Sequence, residues 1–159
     1  MEELINLLIK NDLSISTMES CTGGGIVNAI TNVSDASKVI SFSAVTYSNE
    51  AKIKMGVSKK IIDKYSVYSI EVAKEMARCI SQYTESSYGI GVTGKLMKKD
   101  ENNLFGDDNC VYYCVYDQKN DIYYADSLYV IHDKREDNKR QVINKILSKM
   151  LEIVKNNLR

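Results

Sequence analysis

The stretch "MESCTGGG" sets Ser20, Cys21 and Thr22 directly ahead of Gly23, Gly24 and Gly25. A hydroxyl and a thiol that lead into a run of glycines form a pattern for acyl chemistry. The oxygen or sulfur is the nucleophile, the glycines let a ligand approach the main chain, and free N–H groups at the start of a helix favour an anion. That anion is either a phosphate or a developing oxyanion. A serine in this place needs a base. The chain has one histidine, His132, in "IHDKRED" just ahead of the last helix, and no role falls to it. A lysine of depressed pKa, with a tyrosine beside it, does the same work. "VTYSNEAK" supplies both, as Tyr47 and Lys52. Cys21 is an alternative nucleophile, because a helix N-terminus lowers a thiol pKa. Glu19 reads as a structural carboxylate that takes a cation or a backbone N–H. Each residue also has a plain reading: Ser20 as a turn-forming or helix-capping hydroxyl, Lys52 as an exposed lysine at a helix start, Tyr47 as a strand aromatic.

The elements around these residues must bring them together. Leu4, Ile5, Leu7, Leu8 and Ile9 predict an opening helix, and "LSISTM" a short strand that ends near Met18. A helix follows over about residues 22–31, then a strand over 39–48 ("VISFSAVTYS"). "SKKIIDKYS" is a short helix with Ser58 as its N-cap, and a longer one is capped by Ser69. "SYGIGVTG" is a buried strand; "NCVYYCVY" and "IYYADSLYVI" form a hairpin across "DQKND". The chain closes on a long helix with Ile143, Ile146, Leu147, Met150, Leu151 and Val154 at helical spacing. The order α-β-α-β-α-α-β-β-β-α implies an α/β fold: a three-layer α/β/α sandwich on a mixed, mostly parallel sheet with a late antiparallel hairpin. Ends of neighbouring strands meet at one edge of such a sheet, where these folds bind ligands. The stretch from Lys95 to Asn109 is polar and reads as a mobile loop.

Bulk properties narrow the function classes. The 159 residues suit one domain, 1–159, able to bury a core unaided. Lys+Arg and Asp+Glu both number 21, so the net charge of zero supplies no global field toward nucleic acid or membrane. No run approaches the roughly 20 apolar residues that span a bilayer, and "MEELINLLIKNDLS" lacks the basic start of a secretory signal. The expectation is a cytoplasmic protein without nucleic-acid or membrane partners. Cys79, Cys110 and Cys114 read as core thiols; on one strand, the last two would stand about 13 Å apart, too far for a disulfide. The hairpin tyrosines, Tyr112, Tyr113, Tyr116, Tyr123, Tyr124 and Tyr129, read as half-buried strand residues available to a homo-oligomer interface.

The segments "TMESCTGGGIVNAIT", "VTYSNEAK", "SIEVAKEMA" and "GIGVTG", in this order, resemble the C-terminal domain of the CinA (competence/damage-inducible) family, the nicotinamide-nucleotide amidases. The resemblance covers essentially the whole chain, in the form that stands without the family's separate N-terminal domain. It implies hydrolysis of nicotinamide mononucleotide to nicotinic acid mononucleotide and ammonia, with no metal or other cofactor. By position, it makes Ser20 the nucleophile and Tyr47 and Lys52 its activators. It assigns Cys21, Thr22, Gly23, Gly24, Thr93 and Gly94 to the substrate pocket. Arg135 and Lys139 stand where the family has two arginines four apart, suited to a phosphate, although lysine lacks the bidentate fork. The departure follows Gly94: the family's Gly- and Pro-rich segment is replaced by "KLMKKDENNLFGDDN", which retains only Gly106. Two further readings share these residues: a nucleotide-binding or regulatory module that has lost turnover, and an amidase with a changed substrate. A third is an interaction protein built on the tyrosine hairpin.

Overall fold

Five residues of mixed polarity, Ile15–Glu19, are all buried, which places this strand, β1, inside a sheet. A computed structural model describes residues 1–159 and shows that sheet to have five strands. Strands β2 (Ser43–Val45) and β3 (Tyr88–Gly94) flank β1, both parallel to it. The hairpin of β4 (Cys110–Asp117) and β5 (Ile122–Tyr129) extends the β3 side in antiparallel register, giving the order β2-β1-β3-β4-β5. Four of the five strands therefore point the same way.

Helices α1 (Glu2–Lys10), α2 (Gly25–Thr31) and α6 (Arg135–Asn157) cover one face around a core that includes Leu4, Ile26, Ile90, Tyr113 and Ile146. The other face carries α3 (Asn49–Lys54), α4 (Lys59–Tyr65) and α5 (Ile70–Thr84), packed through Met18, Ile62, Val72 and Met76. The three-layer sandwich expected from the element order is the fold observed. Helix α5 lies directly on β3: a Cβ at Gly91 would stand 2.3 Å from the Ala73 carbonyl oxygen, so only glycine permits this approach.

Several local expectations change. The strand expected over 39–48 is paired only at Ser43–Val45, because Val39 and Ile40 turn into the core after a 3₁₀ turn at Ala36–Lys38. Past the strand, the Ser48 hydroxyl accepts from the Ala51 N–H at 3.1 Å and starts α3, a helix absent from the expected element order. Ser69 caps α5 as expected, accepting from the Val72 N–H at 3.2 Å, whereas Ser58 makes no capping bond on α4. Tyr113 and Tyr116 are fully buried rather than half-buried, since β4 is an interior strand with helices on both faces. Cys79, Cys110 and Cys114 are buried free thiols. No helix is long and apolar enough to cross a membrane.

Candidate active site

Strands β1, β2 and β3 end at one edge of the sheet. From there β1 leads to α2 on one face and β2 to α3 on the other, so the two connections part and open a crevice. Ser20 stands at its floor, its N–H donating to the Val92 carbonyl on β3 at 3.1 Å. Lys52 comes from α3. Although it is a lysine it is 1% exposed, and its Nζ donates to Ser20 Oγ at 3.1 Å and to the Thr46 carbonyl at 2.7 Å. No carboxylate pairs with it. Burial disfavours the ammonium and lowers the Lys52 pKa to about 8, so an appreciable share of the side chain is a neutral amine near neutral pH.

The neighbours of Ser20 take separate tasks. Cys21 lines the crevice, but burial pushes its thiol up to about 12, leaving it protonated and a poor nucleophile. Glu19, wholly buried, accepts from Thr17 Oγ1 at 3.1 Å, Thr22 Oγ1 at 2.6 Å, and the N–H groups of Gly24, Ile26 and Val27 at 3.1, 3.0 and 2.8 Å. This carboxylate fills the N-terminus of α2. The amides that the sequence suggests for an anion are therefore already occupied, while those of Cys21 and Thr22 donate to no oxygen of the protein. Gly24, at φ +92°, makes the left-handed turn that folds the chain over Glu19.

The remaining sequence-derived residues fall into three groups. Tyr47, Gly94 and Arg135 line the crevice together with Ser20, Cys21 and Lys52. Tyr47 is 63% exposed and accepts from Arg135 Nη2 at 3.1 Å; it forms no hydrogen bond with Ser20 or Lys52, so Lys52 alone of the two reaches the serine. Thr22 turns to Glu19, and Thr93 is buried with its hydroxyl on the Val67 carbonyl at 3.0 Å; both hold the walls from behind. Gly23 sits beneath Lys139, whose Nζ would be 3.2 Å from a Cβ there. Arg135 and Lys139, one turn apart, project from the start of α6. That start is fixed by buried Asn138, which accepts from the His132 N–H and donates to the His132 carbonyl, both at 2.8 Å.

The crevice has a volume of about 780 Å³, and the segment after Gly94 forms its far wall. It is a loop, as the sequence implies, and it is tied to the rest of the fold at two points. The Tyr68 hydroxyl donates to Asp100, which also accepts from Asn103 Nδ2 at 2.9 Å and the Asn102 N–H at 3.0 Å. These bonds, that from Tyr68 foremost, hold the Asp100 carboxyl below its usual range. Lys95 is buried under the loop, 3.3 Å from Asp108 Oδ1, 3.4 Å from the Gly106 carbonyl and 5.1 Å from the centre of the Tyr68 ring. Tyr68, Lys95, Asn138 and the Thr46 carbonyl are the positioning groups that the sequence did not single out; only the lysine directly after "VTG" carried a visible signal.

The model of the CinA C-terminal domain matches residues 1–154 of the chain. The chain belongs to that family. CinA relatives include a competence-damage inducible protein of Thermoanaerobacter pseudethanolicus, 47% identical over 96 residues. A CinA-like protein of Kosmotoga olearia is 45% identical over 94 residues. These matches cover 59% and 58% of the chain but only 23% of each relative, so the chain corresponds to about a quarter of the length of the curated CinA proteins it matches. Among solved structures, a CinA superfamily protein of Klebsiella pneumoniae 700603 superposes with a TM-score of 0.88 at 19% identity, covering 98% of this chain and 95% of that one. The competence/damage-inducible protein CihA of Agrobacterium tumefaciens gives 0.81 at 25% identity, covering 97% and 94%.

Proposed function

We propose that this CinA domain is an amidohydrolase that converts nicotinamide mononucleotide to nicotinic acid mononucleotide and ammonia, with Ser20 as nucleophile and Lys52 as general base. The observation that carries the reading is the buried Lys52 Nζ, 3.1 Å from Ser20 Oγ with no carboxylate to hold its proton. The family resemblance supplies the substrate. Neutral Lys52 takes the hydroxyl proton as Ser20 Oγ bonds to the carboxamide carbon. The Cys21 and Thr22 amides, unbonded to any protein oxygen, serve the oxyanion. Lys52 returns the proton to the departing nitrogen, the C–N bond breaks, and ammonia leaves a seryl ester. Water then attacks that ester, its proton passing through Lys52 to Ser20 as the acid is released. Arg135 and Lys139 face the substrate phosphate, and Tyr47 contacts the ligand at the rim.

The test is ammonia release from nicotinamide mononucleotide by the wild type and Ser20→Ala. Release by the wild type alone is the expected result; equal release by folded Ser20→Ala removes Ser20 from the mechanism. A second reading, nucleotide binding without turnover, draws on the rewritten wall at 95–109 and predicts ligand-dependent thermal stabilisation with no ammonia from either protein.

A further inference from the structure

The crevice does not end at its far wall. A second hollow of about 680 Å³ adjoins it, and Asn49, Val67, Glu101, Asn102 and Asn103 border both. Its outer side is the last turn of α4 and the tip of the loop, where Tyr65, Leu104 and Phe105 are 41%, 65% and 76% exposed. Leu104 and Phe105 thus face the hollow with no protein partner over them, while the Lys64 ammonium lies 5.0 Å from the centre of the Tyr65 ring. The crevice that holds Ser20 is also lined by Lys98 and Lys99, neither paired with a carboxylate, and by Arg135. Of the acidic groups nearby, Asp100 is taken up by Tyr68 and Asn103, while Glu50 and Glu101 are solvent-exposed.

We infer that the second hollow is a subsite for the distal half of a larger substrate, a pyridine-carboxamide dinucleotide. Its carboxamide lies at Ser20, its diphosphate bridge against Lys98, Lys99 and Arg135, and its second base stacks on Phe105. The inference rests on the amidase reading and leaves the chemistry at Ser20 unchanged. A crevice of 780 Å³ is already within the roughly 300–1,000 Å³ that enclose a drug-sized ligand, and the two spaces together exceed it. A mononucleotide has one phosphate and no second ring, so it leaves Leu104, Phe105 and the loop lysines without a partner. Ammonium groups match a diphosphate, and aromatic faces accept any base.

The experiment is calorimetric titration of nicotinamide mononucleotide and nicotinamide adenine dinucleotide into Ser20→Ala and into Ser20→Ala carrying Phe105→Ala, with ammonia release by the corresponding proteins that retain Ser20. The dinucleotide is expected to bind about tenfold more tightly than the mononucleotide, and Phe105→Ala to erase that advantage while leaving mononucleotide affinity and turnover unchanged. Lys98→Ala with Lys99→Ala should weaken the dinucleotide more than the mononucleotide. Equal affinities, or exclusion of the dinucleotide by a protein that binds the mononucleotide, overturn the subsite and leave the amidase reading intact. Phe105-dependent dinucleotide binding with no ammonia from either substrate supports the subsite and ends the amidase reading. If Phe105→Ala only disperses an oligomer in sedimentation and alters neither affinity, the patch is a contact between copies of the chain and the subsite is overturned.

Discussion

Ser20 and Lys52 are separated by 32 positions in the chain and by one hydrogen bond in the fold. What makes the pair chemically useful is the omission of a carboxylate: an acid beside Lys52 would hold its proton, and burial alone releases it. Lys52 titrates near 8 in the folded chain against an ordinary 10.5. Two pH effects follow. Activity, measured as kcat/KM, rises with pH and levels off above about 8 as the amine becomes neutral. Stability moves with the same group: between about 8 and 10.5 the unfolded chain binds a proton that the native one does not, so folding is favoured progressively as pH rises. The buried thiols and tyrosines, with raised pKa values, act in the opposite direction, so the comparison is with Lys52→Met. That variant should lose about 10³-fold in kcat yet melt no lower than wild type at pH 7, with the gap in its favour closing toward pH 10.5. A Lys52→Met protein that melts well below wild type at pH 7 would show the lysine to be a net stabiliser, against this account.

At the scale of elements, the turn from β1 into α2 depends on Glu19, whose oxygens meet two hydroxyls and three amides. Glu19→Gln keeps the shape but sets an NH2 against N–H donors. Loss of charge-assisted bonds should cost about 2 kcal/mol, or roughly 4–8 °C in melting temperature for a domain of this size. The glycines and the strand before them are legible in the sequence because propensity and spacing are local. Glu19's structural role is legible too, but its five partners are not. Helix α3 is too short at six residues for a periodic signal, and only its Ser48 cap marks it. The loop after Gly94 is legible as a loop from its polar, Gly-poor composition, but its tie to Tyr68, thirty-two positions away from Asp100, is not. Tyr68→Phe removes that strap without leaving an orphaned donor. We expect KM for the nucleotide to rise several-fold with kcat and melting temperature held, as seen in steady-state kinetics and a thermal melt; a fall in kcat alone would place Tyr68 in the chemical step.

For the whole molecule, zero net charge is a correct reading that conceals the distribution. The sheet brings the carboxyl ends of β1, β2 and β3 to one edge, where α6 and the loop contribute Arg135, Lys139, Lys98 and Lys99 from distant parts of the sequence. The sequence shows these as scattered cations because order along the chain contains no information about which loops share an edge until strand order is known. A field confined to one crevice is screened over a Debye length of about 8 Å at physiological salt and about 3 Å at 1 M. An anionic substrate should therefore meet an affinity that depends on salt although the protein as a whole is neutral. Raising salt from about 0.05 to 0.5 M should increase KM several-fold and leave kcat nearly unchanged, because the buried Lys52 is shielded from solvent ions whereas the cations at the crevice mouth are not. Arg135→Ala with Lys139→Ala should flatten that dependence. A KM indifferent to salt would mean that contacts other than charge hold the substrate, and the cations at this edge would then be a solvated surface like any other.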